Sequence, residues 1–447
     1  MHETITRFFK RPPVNGENLL AFGIFLLPSL SLTIPTGYSY SAVVLVLGAI
    51  AHFVFLPIRY SRPNYLQGPT KLIIFSFVLY AAFWIGDAAM RGEGIRGFDV
   101  PSRFIIAAFC LSVIAHTQIK AVWLWLGLGV GSISAGSIAI WQRFIEDIAR
   151  ASGFAPTNKF GLVAITMGLM CLSGLFCVCS QHNSGKRKWL IFIFLLTGFF
   201  FGLLAAILSG SRGAWTAVLP TTIVFVWLVG QLPHARRYLL AGIILGFCGV
   251  AIIYHSPTTN FADRLSEAAE QIHAYAEGDF TGGVVEYRLE MWKGASILFM
   301  EKPYIGWSET GYAARMRALE TDGVIQHGTA GYAHAHNDWF NVFAKKGILG
   351  GVILLAVYMA PLFFFTKIAL HSAKSGISSS SRFALATAGI AFVLSFMSAG
   401  LTQVTFNRNI GVMFYGLMTA ILAGLLSGRD GAGDTAPHDD TKIQPDT

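Results

Sequence analysis

His334 and His336 stand one residue apart, directly before Asn337 and Asp338, in the run A-H-A-H-N-D-W-F-N-V-F-A-K-K-G-I-L-G from Ala333 to Gly350. Imidazoles change charge near neutral pH, so either histidine can take up or release a proton under ordinary conditions. From Gly347 onward the chain is nearly uncharged for roughly twenty residues, enough to cross the hydrocarbon core of a bilayer. The histidines therefore lie where hydrocarbon meets water. A histidine here can instead simply pack or bond its own loop, His334 more readily than His336. H-A-H-N-D could also ligate a metal, but the connections on this face hold no second acidic cluster and no D-x-D. No metal is therefore expected.

Two arginines invite a chemical reading of their own. Arg212 occurs in S-G-S-R-G-A-W, between two apolar runs. A guanidinium fixed by short turns, beside the free amides of a helix start, suits a phosphate. The competing reading is an arginine that snorkels to the interface. Arg288, in E-Y-R-L-E-M-W-K-G-A, has Glu286 and Glu290 two residues to either side, so a surface ion pair is the alternative there. The chain has no Gly-rich phosphate loop, serine nucleophile elbow or H-E-x-x-H.

The elements that must position these residues are membrane helices. Of 447 residues, 54% are hydrophobic and only 13% charged, which excludes a soluble domain of ordinary surface chemistry. The formal charge of +9 is scattered in short clusters between apolar runs, so it reads as loop bias in a membrane protein; no nucleic acid is expected as a partner. All five cysteines fall inside apolar runs and read as small core residues. No convincing small-residue cleavage site follows the first apolar run, which is expected to be retained.

The fold class read from this pattern is an all-α polytopic membrane protein with about twelve transmembrane helices and a large outer loop containing short helices. Spans are predicted near Asn18 to Ile34, Tyr40 to Pro57, Lys71 to Ala89, Arg103 to Gln118, Ala121 to Trp141 and Phe160 to Ser180. Six more are predicted near Trp189 to Leu208, Ala214 to Gly230, Tyr238 to Tyr254, Gly347 to Thr366, Phe383 to Gly400 and Gly411 to Leu426. The fourth and fifth, separated by little more than Lys120, are candidates for merging. This divides the chain into a first membrane bundle over 1–254, an outer loop over 255–338, a second bundle over 339–427 and a tail over 428–447 that reads as disordered. The loop is expected to hold two short helices, one over Phe261 to Glu277 ended by Gly278, the other over Val284 to Met300. There is no internal repeat and no matched pair of interrupted helices.

If the amino terminus is cytoplasmic, the inner connections contain Arg59 with Arg62, Lys120, Lys186-Arg187-Lys188, Arg236-Arg237, and Lys367, Lys374 and Arg382. Those segments are almost purely positive, so both termini are read as cytoplasmic and the histidines as facing outward.

His336 and Asn337, followed after nine residues by Gly347-x-x-Gly350, resemble the histidine signature of bacterial O-antigen ligases. The S-x-S-R junction at Ser209 to Arg212, and R-x-x-x-W followed by P-x-x-G from Arg288 to Gly306, resemble the wider superfamily of O-antigen ligases, O-antigen polymerases and protein O-oligosaccharyltransferases. One departure is that the usual glycine pair after the proline reads Gly306-Trp307-Ser308. The resemblance implies a multi-pass inner-membrane glycosyltransferase. Its periplasmic site would take a glycan from undecaprenyl diphosphate and, in a ligase, place it on the lipid A-core oligosaccharide. Arg212 and Arg288 would then hold the diphosphate, His336 would act as general base, and His334 and Asn337 would orient it or the glycan, with no cofactor. A polymerase or protein glycosyltransferase is the alternative within the superfamily. A transporter is the alternative outside it, disfavoured because the spans offer only Asp87 near an outer end and single histidines such as His52 and His116.

Overall fold

The computed structural model describes residues 16–55, 68–179, 185–230, 261–374 and 381–427. Apolar segments in a bilayer can satisfy their amides only within themselves, and the described chain is accordingly helical, without a strand among the described residues. The first set of helices is α1 (Gly16–Leu30), α2 (Gly37–Phe55), α3 (Gly68–Met90), α4 (Arg96–Ile114), α5 (Val122–Phe144), α6 (Thr157–Cys179), α7 (Lys186–Leu208), the single turn α8 (Arg212–Trp215) and α9 (Val218–Gly230). After them come α10 (Phe261–Ala276), α11 (Val284–Glu301), α12 (Ser308–Thr321), α13 (Asp338–Lys374), α14 (Ser381–Ala399) and α15 (Asn409–Ser427).

Among the described residues ten stretches are long and apolar enough to cross a membrane, and α1 is a shorter apolar helix, which accounts for eleven of the twelve expected spans. The expected ninth span, Tyr238 to Tyr254, lies outside the described residues, as do Arg59, Arg62, Arg236, Arg237 and the tail from Gly428. The fourth and fifth spans do not merge: α4 ends at Ile114 and α5 starts at Val122. The tenth is longer than expected. Helix α13 runs for 37 residues and is broken at Gly347, whose φ of 64° and ψ of −163° separate a lead-in turn from the span proper.

Successive crossings bring the connections 31–36, 91–95, 145–156, 209–211, 302–337 and 400–408 to one end of the bundle, and bonds between them confirm it. Arg91 donates to the carbonyls of Ile305 and Gly306, Arg150 to those of Ser209 and Gly210, and Asn337 to that of Leu401. This is the site end. The middle of the bundle is formed by α6, α14 and α15, buried over 83%, 78% and 89% of their apolar windows, whereas α7, at 28%, has most of its surface turned outward. Tyr358, Phe392, Phe396, Phe406 and Tyr415 interlock there at ring separations of 5.1–5.5 Å.

Above the site end the short helices form a cap with its own small core of Ala295, Leu298, Tyr312, Met316, Leu319, Ile325, Ala335 and Ala344. Helix α10 ends where expected, with Gly278 at a φ of 89°. Helix α11 begins where Glu286 accepts bonds from the amides of Thr281, Gly282 and Gly283, a capping arrangement that draws its carboxyl below the usual range although burial acts the other way.

Candidate active site

The histidine loop is held at every second residue. The buried Lys345 donates to the carbonyl of Ala333 at 2.9 Å and to Glu309 at 2.5 Å. Trp292 Nε1 donates to the carbonyl of Ala335 at 2.9 Å, and its ring stacks on Phe340 at 5.2 Å. Asn337 caps α13, its Oδ1 accepting from the amides of Trp339 and Phe340 while its Nδ2 donates to Leu401. With 333, 335 and 337 anchored, His334 and His336 alternate to the half-buried side, their ring centroids 4.3 Å apart. His336 has a φ of 50°, a left-handed conformation uncommon for a residue with a side chain, and its amide donates to Nδ1 of His334 at 3.4 Å. That bond places the proton of neutral His334 on Nε2.

Asn337 is thus tied by both ends of its amide to the frame, which suits positioning better than direct contact with a glycan. Asp338 is committed as well, accepting from the amide of Thr405 at 2.9 Å, from its hydroxyl at 2.5 Å and from Tyr358 at 3.2 Å. The run H-A-H-N-D therefore turns its carboxylate toward the 400–408 loop and away from the imidazoles. Lys159 secures the same loop through the carbonyls of Val404 and Thr405.

The electrostatics of the pair favour the neutral imidazole. Burial, then His336, Lys345 and Lys159, lower His334 to about 4. Burial, then Arg288, lower His336 from its ordinary value. Arg288 thus lies within electrostatic reach of His336, one helical turn before Trp292 on α11. The glutamates beside it in sequence are engaged elsewhere: Glu286 caps the helix, and Glu290 accepts from Tyr275 at 2.5 Å and from the amide of Gln326 at 2.7 Å.

Arg212 opens α8, and its side chain lies outside what is described. Its backbone is placed firmly, because Arg150 grips the carbonyls of Ser209 and Gly210 and a Cβ on Gly213 would come within 2.3 Å of Thr402. Leu401, the neighbour of Thr402, is bonded to Asn337. The S-x-S-R junction and the histidine loop therefore meet on the same 400–408 segment.

The glycine motifs form a lock between the cap and the tenth span. A Cβ on Gly306 would lie 2.4 Å from the carbonyl carbon of Lys345, and one on Gly347 would lie 2.3 Å from that of Tyr304. Across this contact the amide of Ile348 donates to Pro303 at 2.7 Å and that of Trp307 to Ala344 at 3.0 Å. In the stretch Gly306-Trp307-Ser308, which replaces the expected glycine pair, both Gly306 and Ser308 are left-handed, at φ of 61° and 69°, and Ser308 accepts from the amide of Gly311.

Lys345, Lys346, Asp87, Arg91, Arg150 and Lys159 hold the loops of the site end, and sequence reasoning missed them in that role. Lys346 pairs with Asp87, which also holds Arg91 at 2.6 Å, and Arg91 reaches on to Gly306. One signal was present: two adjacent lysines open a span on the face read as outer, where the orientation rule does not call for them. Asp87, placed too near a span end to favour a transporter, belongs to this ion pair.

Fold and site together define an all-α polytopic membrane protein whose capped end gathers two neutral imidazoles and an arginine. Residues 197–355, which contain all five candidate site residues, match the family model described as O-antigen ligase. The match supports the resemblance carried by the motifs. A curated relative from Haemophilus influenzae, itself described as an uncharacterized protein, is 24% identical over 355 residues, covering 78% of this chain and 86% of its own length.

Proposed function

We propose that the protein is an O-antigen ligase that moves a glycan from undecaprenyl diphosphate onto the lipid A-core oligosaccharide at the periplasmic face of the inner membrane. The observation that carries this reading is the gathering of His334, His336 and Arg288 at one half-buried mouth, inside the segment that matches the O-antigen ligase family. His336 removes the proton from the acceptor hydroxyl, whose oxygen attacks the anomeric carbon of the donor sugar. The bond from that carbon to the diphosphate breaks, and undecaprenyl diphosphate leaves with the electron pair. Attack opposite the leaving group inverts the anomeric centre. Arg288 and Arg212 hold the departing oxygens, since a guanidinium stays charged and grips such oxygens in a bidentate fork. His334 and Asn337 fix the position of His336.

Deleting the gene and examining the glycolipids tests the reading. Loss of a ligase leaves long glycan on undecaprenyl diphosphate beside bare lipid A-core. Single repeat units in its place would identify a polymerase, and an unchanged glycolipid profile would overturn both.

A further inference from the structure

A polar cavity lies at the site end, lined in part by the last residues of the 400–408 loop. Its volume is about 370 Å³, within the range of small-molecule sites. Tyr38 and Phe154 give it aromatic faces, Asn407 and Asn409 give planar amides, and Asp99 and Arg408 give charge. Asp99 is held by Arg103 at 2.5 Å, so the exposed guanidinium of Arg408 is the charge that remains for a ligand.

The place of the cavity matters as much as its lining. It is framed by the turn after α1 and by the starts of α2, α4, α6 and α15, where apolar helices give way to the connections of the site end. One loop joins it to the histidine site: Leu401 is bonded by Asn337, Thr405 by Asp338, and Asn407 and Arg408 line the cavity. Six peptide steps run from Leu401 to Asn407, so those two residues are at most about 22 Å apart along the loop. A short oligosaccharide spans that distance.

We infer that this cavity seats the anionic inner saccharide of the acceptor glycolipid, with Arg408 on its phosphate and the aromatic and amide groups on its sugar rings, so that the outer sugars extend to His336. The inference rests on the proposed ligase reading. Guanidinium and phosphate match in a charge-assisted fork, and removing such a bond weakens binding by about tenfold or more.

The test is a binding cycle on the whole protein in nanodiscs. The probes are lipid A-core glycolipid and the same glycolipid dephosphorylated by phosphatase. The proteins are the parent, Arg408→Gln and Arg408→Lys, with thermal unfolding recorded for each. Dephosphorylation and Arg408→Gln should each weaken binding about tenfold, the two losses should not add, and Arg408→Lys should recover part of the affinity. Equal affinity for both glycolipids, or losses that add fully, would overturn the assignment. A parallel transfer assay with undecaprenyl-diphosphate donor keeps the two ideas apart. A parent that binds as expected but transfers nothing sinks the ligase reading and leaves the cavity's anion site standing.

Discussion

At the scale of the residue, His336 combines a strained backbone with a neutral side chain. A left-handed non-glycine residue stores on the order of 1–3 kcal/mol, and such strain persists where the surroundings fix it from several sides. Here Trp292, Lys345 and Asn337 do the fixing. His336→Ala should abolish transfer while donor lipid still binds; near-normal turnover at neutral pH would remove it from the mechanism. His334→Ala should cost less, because its contribution is the bond to the His336 amide. Burial and Arg288 lower His336 from its ordinary value, which favours the neutral imidazole. Activity should therefore fall as the pH drops through that lowered value. Arg288→Gln removes a cation that opposes protonation, so in that variant the acid limb of kcat/KM should move to higher pH, on top of weaker donor binding. An unmoved limb would separate Arg288 from His336. Replacing Arg212 or Arg288 by Lys keeps the charge but loses the fork, and activity should still fall substantially.

At the scale of the element, the lock between the P-x-x-G turn and the start of the tenth span is the feature on which the histidine loop depends. Gly347 faces two obstacles to any side chain, a φ of 64° and the Tyr304 carbonyl at 2.3 Å. Gly347→Ala should lower stability by roughly 1–3 kcal/mol or more, read as an earlier thermal loss of monodisperse protein. It should also reduce transfer below that midpoint, because Lys345, which holds Ala333, lies just before the kink. Unchanged melting and activity would show that the close approach is not rigid. The sequence contained both glycine motifs but not their reason, since the two halves of the lock lie some forty residues apart. The same limit hid Lys346 with Asp87 and Asn337 with Leu401. What was legible was local: apolar runs long enough to span, the helical period of α10 and α11, and Gly278 as a stop. Pairings between distant segments leave no local trace beyond an oddly placed charge.

At the scale of the whole molecule, the reading depends on which end faces outward. The connection 115–121, at the end opposite the histidines, contains Lys120 and no acid, and the sequence segments 56–71, 180–189 and 367–382 are likewise basic and free of acid. The site end also carries cations, but many have internal work: Arg91 pairs with Asp87, Arg103 with Asp99, Arg143 with Asp147, Arg315 with Glu301 and Lys345 with Glu309. Cations with a structural partner explain themselves, whereas an unbroken series of acid-free basic connections is what retention on the cytoplasmic side produces. The histidines are therefore expected in the periplasm, and the prediction can be tested without any substrate. Asp322, exposed in the cap, and Gly185, exposed just before α7 at the opposite end, are suitable positions for single reporter cysteines. In cells with a permeabilised outer membrane, a membrane-impermeant maleimide should label Asp322→Cys directly and Gly185→Cys only after the inner membrane is lysed. The reverse pattern would put His336 in the cytoplasm, where lipid A-core assembled on the outer leaflet could not reach it, and would end the ligase reading regardless of how well the site chemistry fits.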